Sequence, residues 1–267
     1  MLYKKWGYPI LRCQTCGLGS TDTQNRFDPD EFYSAAYFDG QYKDGYGDYQ
    51  GSEPVLREEF RRLVQHLAAL SIKGGRLLEI GSAYGFFLLE AAQSFQSTGL
   101  EICEDAVRSC RERGLDVHQG VLSADFFRDR PPFDAMVMLD VIEHLPNPLE
   151  AITLIKDHLT LGGHLVLTTG DWDSLFSSVS GRYWRLMTPP QHLYFYSRRT
   201  LKALLRKAGF KILECTRPWK KIPFGLAAYQ LLRRFHIPLP LPRKLSNFGV
   251  PVNLFDTVRL ICRKERA

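Results

Sequence analysis

Apolar positions recur along the chain at two periods, and their alternation lays out most of the elements. Phe60, Leu63, Val64, Leu67 and Leu70 follow Glu53-Pro54 at helical spacing, with proline in a tolerated first-turn position, and Lys73-Gly74-Gly75 closes that helix. The apolar run 76–80 reads as a strand, a turn of small residues follows, and 86–95 reads as a helix. A strand at 97–101, a helix at 104–113 stopped by Gly114 and a short strand at 115–119 come next. The run beginning at Phe133 is a strand, 148–159 a helix, and Gly162-Gly163 turns the chain into a strand at 164–169. Ser197 caps a basic helix over 198–208 that Gly209 ends; 210–216 is a sixth strand and 255–264 a last one. Strands alternating with helices predict an α/β fold around a doubly wound sheet.

Length and charge refine that picture. At 267 residues and 45% hydrophobic composition, the chain suffices for one domain of about 200 residues plus decoration. It has no apolar stretch of about 18 residues, no signal-like apolar region in 1–12, and six scattered cysteines, so a soluble cytoplasmic protein is expected. The net charge of +6 hides an asymmetry: residues 198–267 carry 17 Lys/Arg against 3 Asp/Glu, and residues 1–197 carry 18 against 26. A basic C-terminal segment on an acidic body suggests an anionic partner such as a phosphorylated sugar, a lipid headgroup or nucleic acid; a solvated basic surface is the plainer alternative.

The turn Gly81-Ser82-Ala83-Tyr84-Gly85 is the first candidate for chemistry. Small residues let its backbone approach a ligand closely, and the N–H groups opening the next helix face the same cavity. Twenty residues after Gly81, Glu101 ends an apolar stretch, where its carboxylate can accept both hydroxyls of a ribose. A dinucleotide fold would need glycine where Ala83 and Phe86 stand, which argues against a pyrophosphate ligand.

The pattern Glu79-x-Gly81-x-Ala83-x-Gly85 followed by Glu101 resembles motif I and the ribose-binding acid of class I methyltransferases, which use S-adenosylmethionine. Phe133-Asp134 through Asp140-Val141-Ile142-Glu143-His144-Leu145 resembles their fourth-strand signature, and the Gly162-Gly163 turn with its strand matches a third segment. The resemblance covers roughly residues 53–216. It implies a Rossmann-like three-layer sandwich: a seven-stranded, mostly parallel sheet with the last strand antiparallel beside strand six. It also implies cofactor contacts from Glu79, Gly81, Ser82, Ala83, Gly85, Phe86, Glu101, Ile102, Val121, Leu122, Leu139, Asp140 and His144. Val121 stands where the family usually has an acid reading the adenine amino group; backbone groups of Val121 and Leu122 remain for that edge, and Asp125 is the nearest substitute acid.

Outside that core, Cys13-Gln14-Thr15-Cys16-Gly17-Leu18 resembles half of the zinc ribbon that opens many methyltransferases of bacterial polysaccharide and natural-product pathways. Two thiolates do not complete a closed tetrahedral site, so no metal is expected there or elsewhere. Residues 27–50 hold many tyrosines and read, with the ribbon remnant, as an N-terminal unit 1–52 acting as a lid; the methyltransferase domain spans 53–267, with substrate-cap insertions at about 171–197 and 217–250. Gly181-Arg182-Tyr183-Trp184 and Pro189-Pro190-Gln191-His192-Leu193-Tyr194-Phe195-Tyr196-Ser197 resemble motifs of the same subgroup. Two prolines restrict where His192 points, and an imidazole of near-neutral pKa suits removal of an acceptor proton, so His192 is the candidate base and Tyr194 the alternative.

Direct methyl transfer to oxygen, nitrogen or carbon of a small, anionic acceptor, such as a sugar or a lipid-linked intermediate, is therefore expected, with peripheral membrane contact through the basic segment left open. Nucleic acid is disfavoured, because the Asp/Asn-Pro-Pro-aromatic signature of base-amino methylation and the Pro-Cys of pyrimidine C5 methylation are both missing. RNA or ribose methylation and a non-catalytic, cofactor-binding regulator are the alternatives.

Overall fold

The apolar runs assemble into one seven-stranded sheet in a computed structural model that describes residues 1–23, 49–72, 74–223 and 249–265. Its first elements are β1 (Tyr3–Lys5), β2 (Tyr8–Arg12), β3 (Gly19–Thr21), α1 (Glu53–Leu67), β4 (Arg76–Ile80), α2 (Phe86–Ala91) and β5 (Gln96–Glu101). Then come α3 (Glu104–Glu112), β6 (Val117–Gln119), α4 (Ala124–Phe127), β7 (Phe133–Leu139), α5 (Pro148–Asp157) and β8 (Leu159–Gly170). The chain continues through α6 (Leu175–Ser180), β9 (Tyr194–Phe195), α7 (Arg198–Lys207), β10 (Phe210–Thr216), β11 (Lys220–Pro223), β12 (Gly249–Val252) and β13 (Thr257–Lys264). The tyrosine-rich stretch up to residue 48 and the second cap over 224–248 lie outside the described residues.

The large sheet runs β10-β13-β8-β7-β4-β5-β6, with β13 antiparallel to both neighbours and every other pairing parallel. Strand periodicity sorts its side chains. Leu78, Ile80, Met136, Met138, Leu165 and Leu167 meet Ile152 and Ile155 of α5 and Leu201 and Leu205 of α7. Leu77, Ala135, Val137 and Val166 face the other way, onto Leu63, Val64 and Leu67 of α1 and Phe87 of α2. The chain leaves β4 outward to β5 and β6, then returns on the opposite side of β4 as β7. The loops after β4 and β7 therefore part at a topological switch point, where this architecture opens a crevice at the carboxyl ends of its strands.

Helix α2 is shorter than the apolar pattern 86–95 predicts. The N–H groups of Ser94 and Phe95 both turn back to Ala91 O at 2.9 Å, and the chain enters β5 at Gln96. What fixes this short helix is Glu90, whose carboxylate is 1% exposed and accepts from Arg57 Nε at 2.7 Å and Arg61 Nε at 2.8 Å on α1. Burial alone would raise the Glu90 pKa, but the hydrogen bonds and charges of the two guanidinium groups hold it below its ordinary value. That stabilisation is present above the unfolded carboxyl pKa of about 4.3 and is lost as pH falls through the lower folded value. Glu90→Gln should cost about 1–3 kcal/mol near neutral pH and leave acid unfolding less steep, both readable from denaturant titrations across pH.

The N-terminal strands pair far along the chain. β1, β2 and β3 form an antiparallel sheet that β9 completes, with Gly19 opposite Phe195 and Ser20 opposite Tyr194. Thr21 N–H adds a bond to Leu193 O at 2.9 Å, so this sheet holds the insertion between β8 and α7. Among the described residues, no helix is long and apolar enough to cross a membrane.

Candidate active site

The loop after β4 forms one wall of the crevice. Gly81, Ala83 and Gly85 have φ of 75°, 46° and 74°, in the left-handed region that favours glycine. A Cβ on Gly81 would stand 2.6 Å from Val141 Cγ2, and one on Gly85 2.5 Å from Leu115 Cδ1, so any larger residue would push this loop off its neighbours. Ala83 lacks glycine's freedom, and its N–H is held by Glu101 Oε2 at 2.7 Å. Cys103 N–H donates to Oε1 of the same carboxylate at 3.0 Å. Glu101 is 4% exposed; burial raises its pKa, and the N–H groups of Cys103, Ala83 and Ile102 pull it back.

Two further polar groups on this wall have no hydrogen-bond partner among the described residues: Oε2 of Glu79 and the hydroxyl of Ser82, both on buried side chains. Burial pushes the Glu79 pKa well up, and the nearby charge of Glu101 adds to it. Unmatched acceptors beside a glycine cradle fit S-adenosylmethionine, whose hydroxyl and ammonium donors supply what they lack. The other expected contacts spread around this wall. Phe86 is fully buried and stacks on Tyr49 at 5.2 Å, so what it offers a ligand is main chain. Ile102 follows β5, Val121 is 58% exposed after β6, and Leu122 and Leu139 pack partly on the cores beneath. Asp125 is exposed and its carboxylate is taken by Arg128, away from an adenine-reading role.

The loop after β7 and the insertion after β8 form the opposite wall. Asp140, with φ of 57°, accepts from Lys220 Nζ at 2.8 Å and from the Thr168 hydroxyl at 3.1 Å. Burial works against its charge, yet Lys220 holds its pKa down to about 2. Glu143, His144 and His192 converge beyond it, one ligating atom from each lying within 4.8 Å of the others. The two imidazole rings meet edge to face at 4.8 Å. His144 Nδ1 donates to Gln191 O at 2.9 Å, Leu193 N–H to Glu143 O at 2.9 Å, and the Thr21 hydroxyl to His192 O at 2.6 Å. The N-terminal sheet thus sets where His192 stands.

Electrostatics here differ from the sequence expectation. Burial, reinforced by the charge of Asp140, lifts Glu143 to about 8. Burial brings His144 down to about 4, and burial with the adjoining His144 brings His192 down to about 3. A near-neutral base at His192 is therefore corrected: the ring is uncharged at pH 7 but weakly basic, because its surroundings disfavour the imidazolium. Tyr194 is drawn elsewhere, its hydroxyl donating to Pro146 O at 2.9 Å. Tyr196 is buried, its hydroxyl has no hydrogen-bond partner among the described residues, and burial, with Glu143 adding to it, raises its pKa.

Glu143 and Tyr196 lie inside the motifs without standing out as site residues, Lys220 falls in the expected substrate cap over 217–250, and Thr21 carries no local signal. Trp184 proves to be an anchor: it is 1% exposed, and its indole N–H donates to Asp256 Oδ2 at 2.9 Å, beside two 2.9 Å bonds from Arg185. Cys13 and Cys16 lie exposed in the turn between β2 and β3, where hydrogen bonds from the Cys16 backbone and thiol hold the Cys13 thiol down to about 7.

Residues 55–215 match a family model described as a methyltransferase domain. A tRNA U34 carboxymethyltransferase of Syntrophotalea carbinolica is 29% identical over 178 residues, covering 61% of this chain and 53% of that protein. A ubiquinone biosynthesis O-methyltransferase of Xylella fastidiosa is 26% identical over 168 residues, covering 57% of this chain and 68% of the relative. The chain spans about half the length of the first of these relatives. Among solved structures, an S-adenosylmethionine-dependent methyltransferase of Archaeoglobus fulgidus superposes with a TM-score of 0.57 at 17% identity, over 85% of this chain and 98% of the other. Magnesium protoporphyrin IX methyltransferase of Synechocystis, with bound S-adenosylhomocysteine, gives 0.57 at 14% identity, over 88% and 97%.

Proposed function

The chain belongs to the methyltransferase-domain family and takes S-adenosylmethionine as its methyl donor; from this we propose that it methylates a hydroxyl oxygen of a small-molecule acceptor seated against Glu143, His144 and His192. The observation that carries the reading is the convergence of those three side chains across the switch-point crevice from the Gly81 loop. When bound, the cofactor supplies an electrophilic methyl group on a sulfonium. Glu101 and the loop from Gly81 to Gly85 hold the donor, and the acceptor wall holds the nucleophile in line with it while excluding water. Uncharged imidazoles and a buried acid suit a neutral hydroxyl better than a cationic amine. The basic stretch 198–267 supports an acceptor that carries negative charge elsewhere, in keeping with a sugar phosphate or lipid-linked intermediate.

Purified protein should move a labelled methyl group from S-adenosylmethionine onto a compound in the small-molecule fraction of a cell extract, giving a product one methyl group heavier that survives ribonuclease. A relative named for tRNA U34 and the basic stretch 198–267 support RNA as the second reading. Label that appears only in ribonuclease-sensitive material would favour it. Retained cofactor with no labelled product would instead favour a non-catalytic binding protein.

A further inference from the structure

Glu143, His144 and His192 bring two imidazoles and one carboxylate together, and contact with an acceptor does not by itself account for that donor set. We propose that they form a three-ligand site for a divalent first-row transition cation, with its remaining positions open to the acceptor. Two histidines and one carboxylate are the donor set of open zinc and iron(II) sites, whereas structural sites close all four positions. Several features of the crevice support the assignment.

The donor atoms lie within 4.8 Å of one another. A cation about 2.1 Å from each brings its ligands to about 3–3.5 Å apart, so side-chain rotations that close the widest gap by somewhat over an ångström complete the site. Glu143 is 3% exposed, one of its carboxylate oxygens belongs to the cluster, and its Oε2 has no hydrogen-bond partner among the described residues. His144 gives its Nδ1 proton to Gln191 O at 2.9 Å, the arrangement that orients metal-ligating histidines. Lys220 close by is tied to Asp140 at 2.8 Å, so its positive charge is compensated.

A bound cation would also give the acceptor wall a chemical role: a hydroxyl that coordinates a divalent cation has a lowered pKa and gives up its proton to solvent as it binds, so its oxygen meets the methyl group already deprotonated. That chemical meaning rests on the acceptor wall proposed above; the test does not, since it reads cation binding with no acceptor present.

The full chain carrying Cys13→Ser and Cys16→Ser, stripped with a chelator and titrated with Co(II), should bind one equivalent with visible d–d absorption that Zn(II) displaces. In that background His192→Ala and Glu143→Gln should each weaken Co(II) binding at least about 100-fold. The melting temperature of each metal-free variant shows whether it is folded, and His192→Gln, which keeps side-chain bulk, replaces the alanine variant if it is not. The site is overturned if the double serine variant takes up no Co(II), which would put any metal on the thiol pair, or if folded His192 variants bind it undiminished. Failure of the acceptor assay alters neither result.

Discussion

Replacing His192 by alanine is expected to lower the single-turnover rate of methyl transfer by about a hundredfold while leaving the affinity for S-adenosylmethionine unchanged. The reason is position. His192 sits on the wall across the crevice from Glu101 and the Gly81 loop, and its main chain is fixed independently of its ring, through Thr188 O at 3.0 Å and the Thr21 hydroxyl at 2.6 Å. Removing the imidazole therefore empties the acceptor wall without releasing the loop. Cofactor affinity, melting temperature and single-turnover rate at saturating acceptor should be measured together. A rate preserved at saturation would make His192 a structural residue and shift attention to Glu143 and Tyr196.

The second large effect belongs to the donor wall. Glu101→Ala should weaken S-adenosylmethionine binding by about 1–3 kcal/mol, the worth of charge-assisted hydrogen bonds to a ligand hydroxyl. The Glu101 carboxylate ties Ala83 N–H and Cys103 N–H, and in the proposed site it also keeps lone pairs for a ribose. The alanine variant loses both roles, so Ala83 is left in its left-handed conformation with its N–H unmatched. Glu101→Gln keeps one acceptor and discards the charge, and should fall between wild type and alanine. Calorimetry on both variants, with unliganded melting temperatures to separate loop damage from lost ligand contacts, decides the matter; unchanged affinity would remove Glu101 from the site.

What the sequence disclosed divides along the same two walls. The donor wall is local: Glu79 to Phe86 is continuous in sequence, and Glu101 follows at the end of the next strand, so period, glycine placement and spacing suffice to find it. Helix α2 was overextended because Phe95 continues the apolar pattern although the backbone has already turned at Ala91. The proposed acceptor wall draws on Thr21, Glu143, His192 and Lys220, brought together only by tertiary packing, and no local pattern pairs β3 with Tyr194–Phe195. His192 was visible as a residue, but its weak basicity is a product of desolvation and of His144 beside it, neither of which a motif records.

The pairing of β3 with β9 also bears on how the protein comes into being. A chain made from its N-terminus exposes Gly19–Thr21 long before Tyr194–Phe195 exists, a wait of roughly 10 to 35 s at ordinary translation rates. Throughout that interval β3 is an edge without its mate, and its length of three residues makes it a poor template for stray association. The strands that carry the donor loop, β4 and β5 with β7, are all synthesised within it. The insertion that bears His192 therefore gains its N-terminal clasp only after the strands of the donor loop exist, and β13, which completes the large sheet between β8 and β10, is made later still.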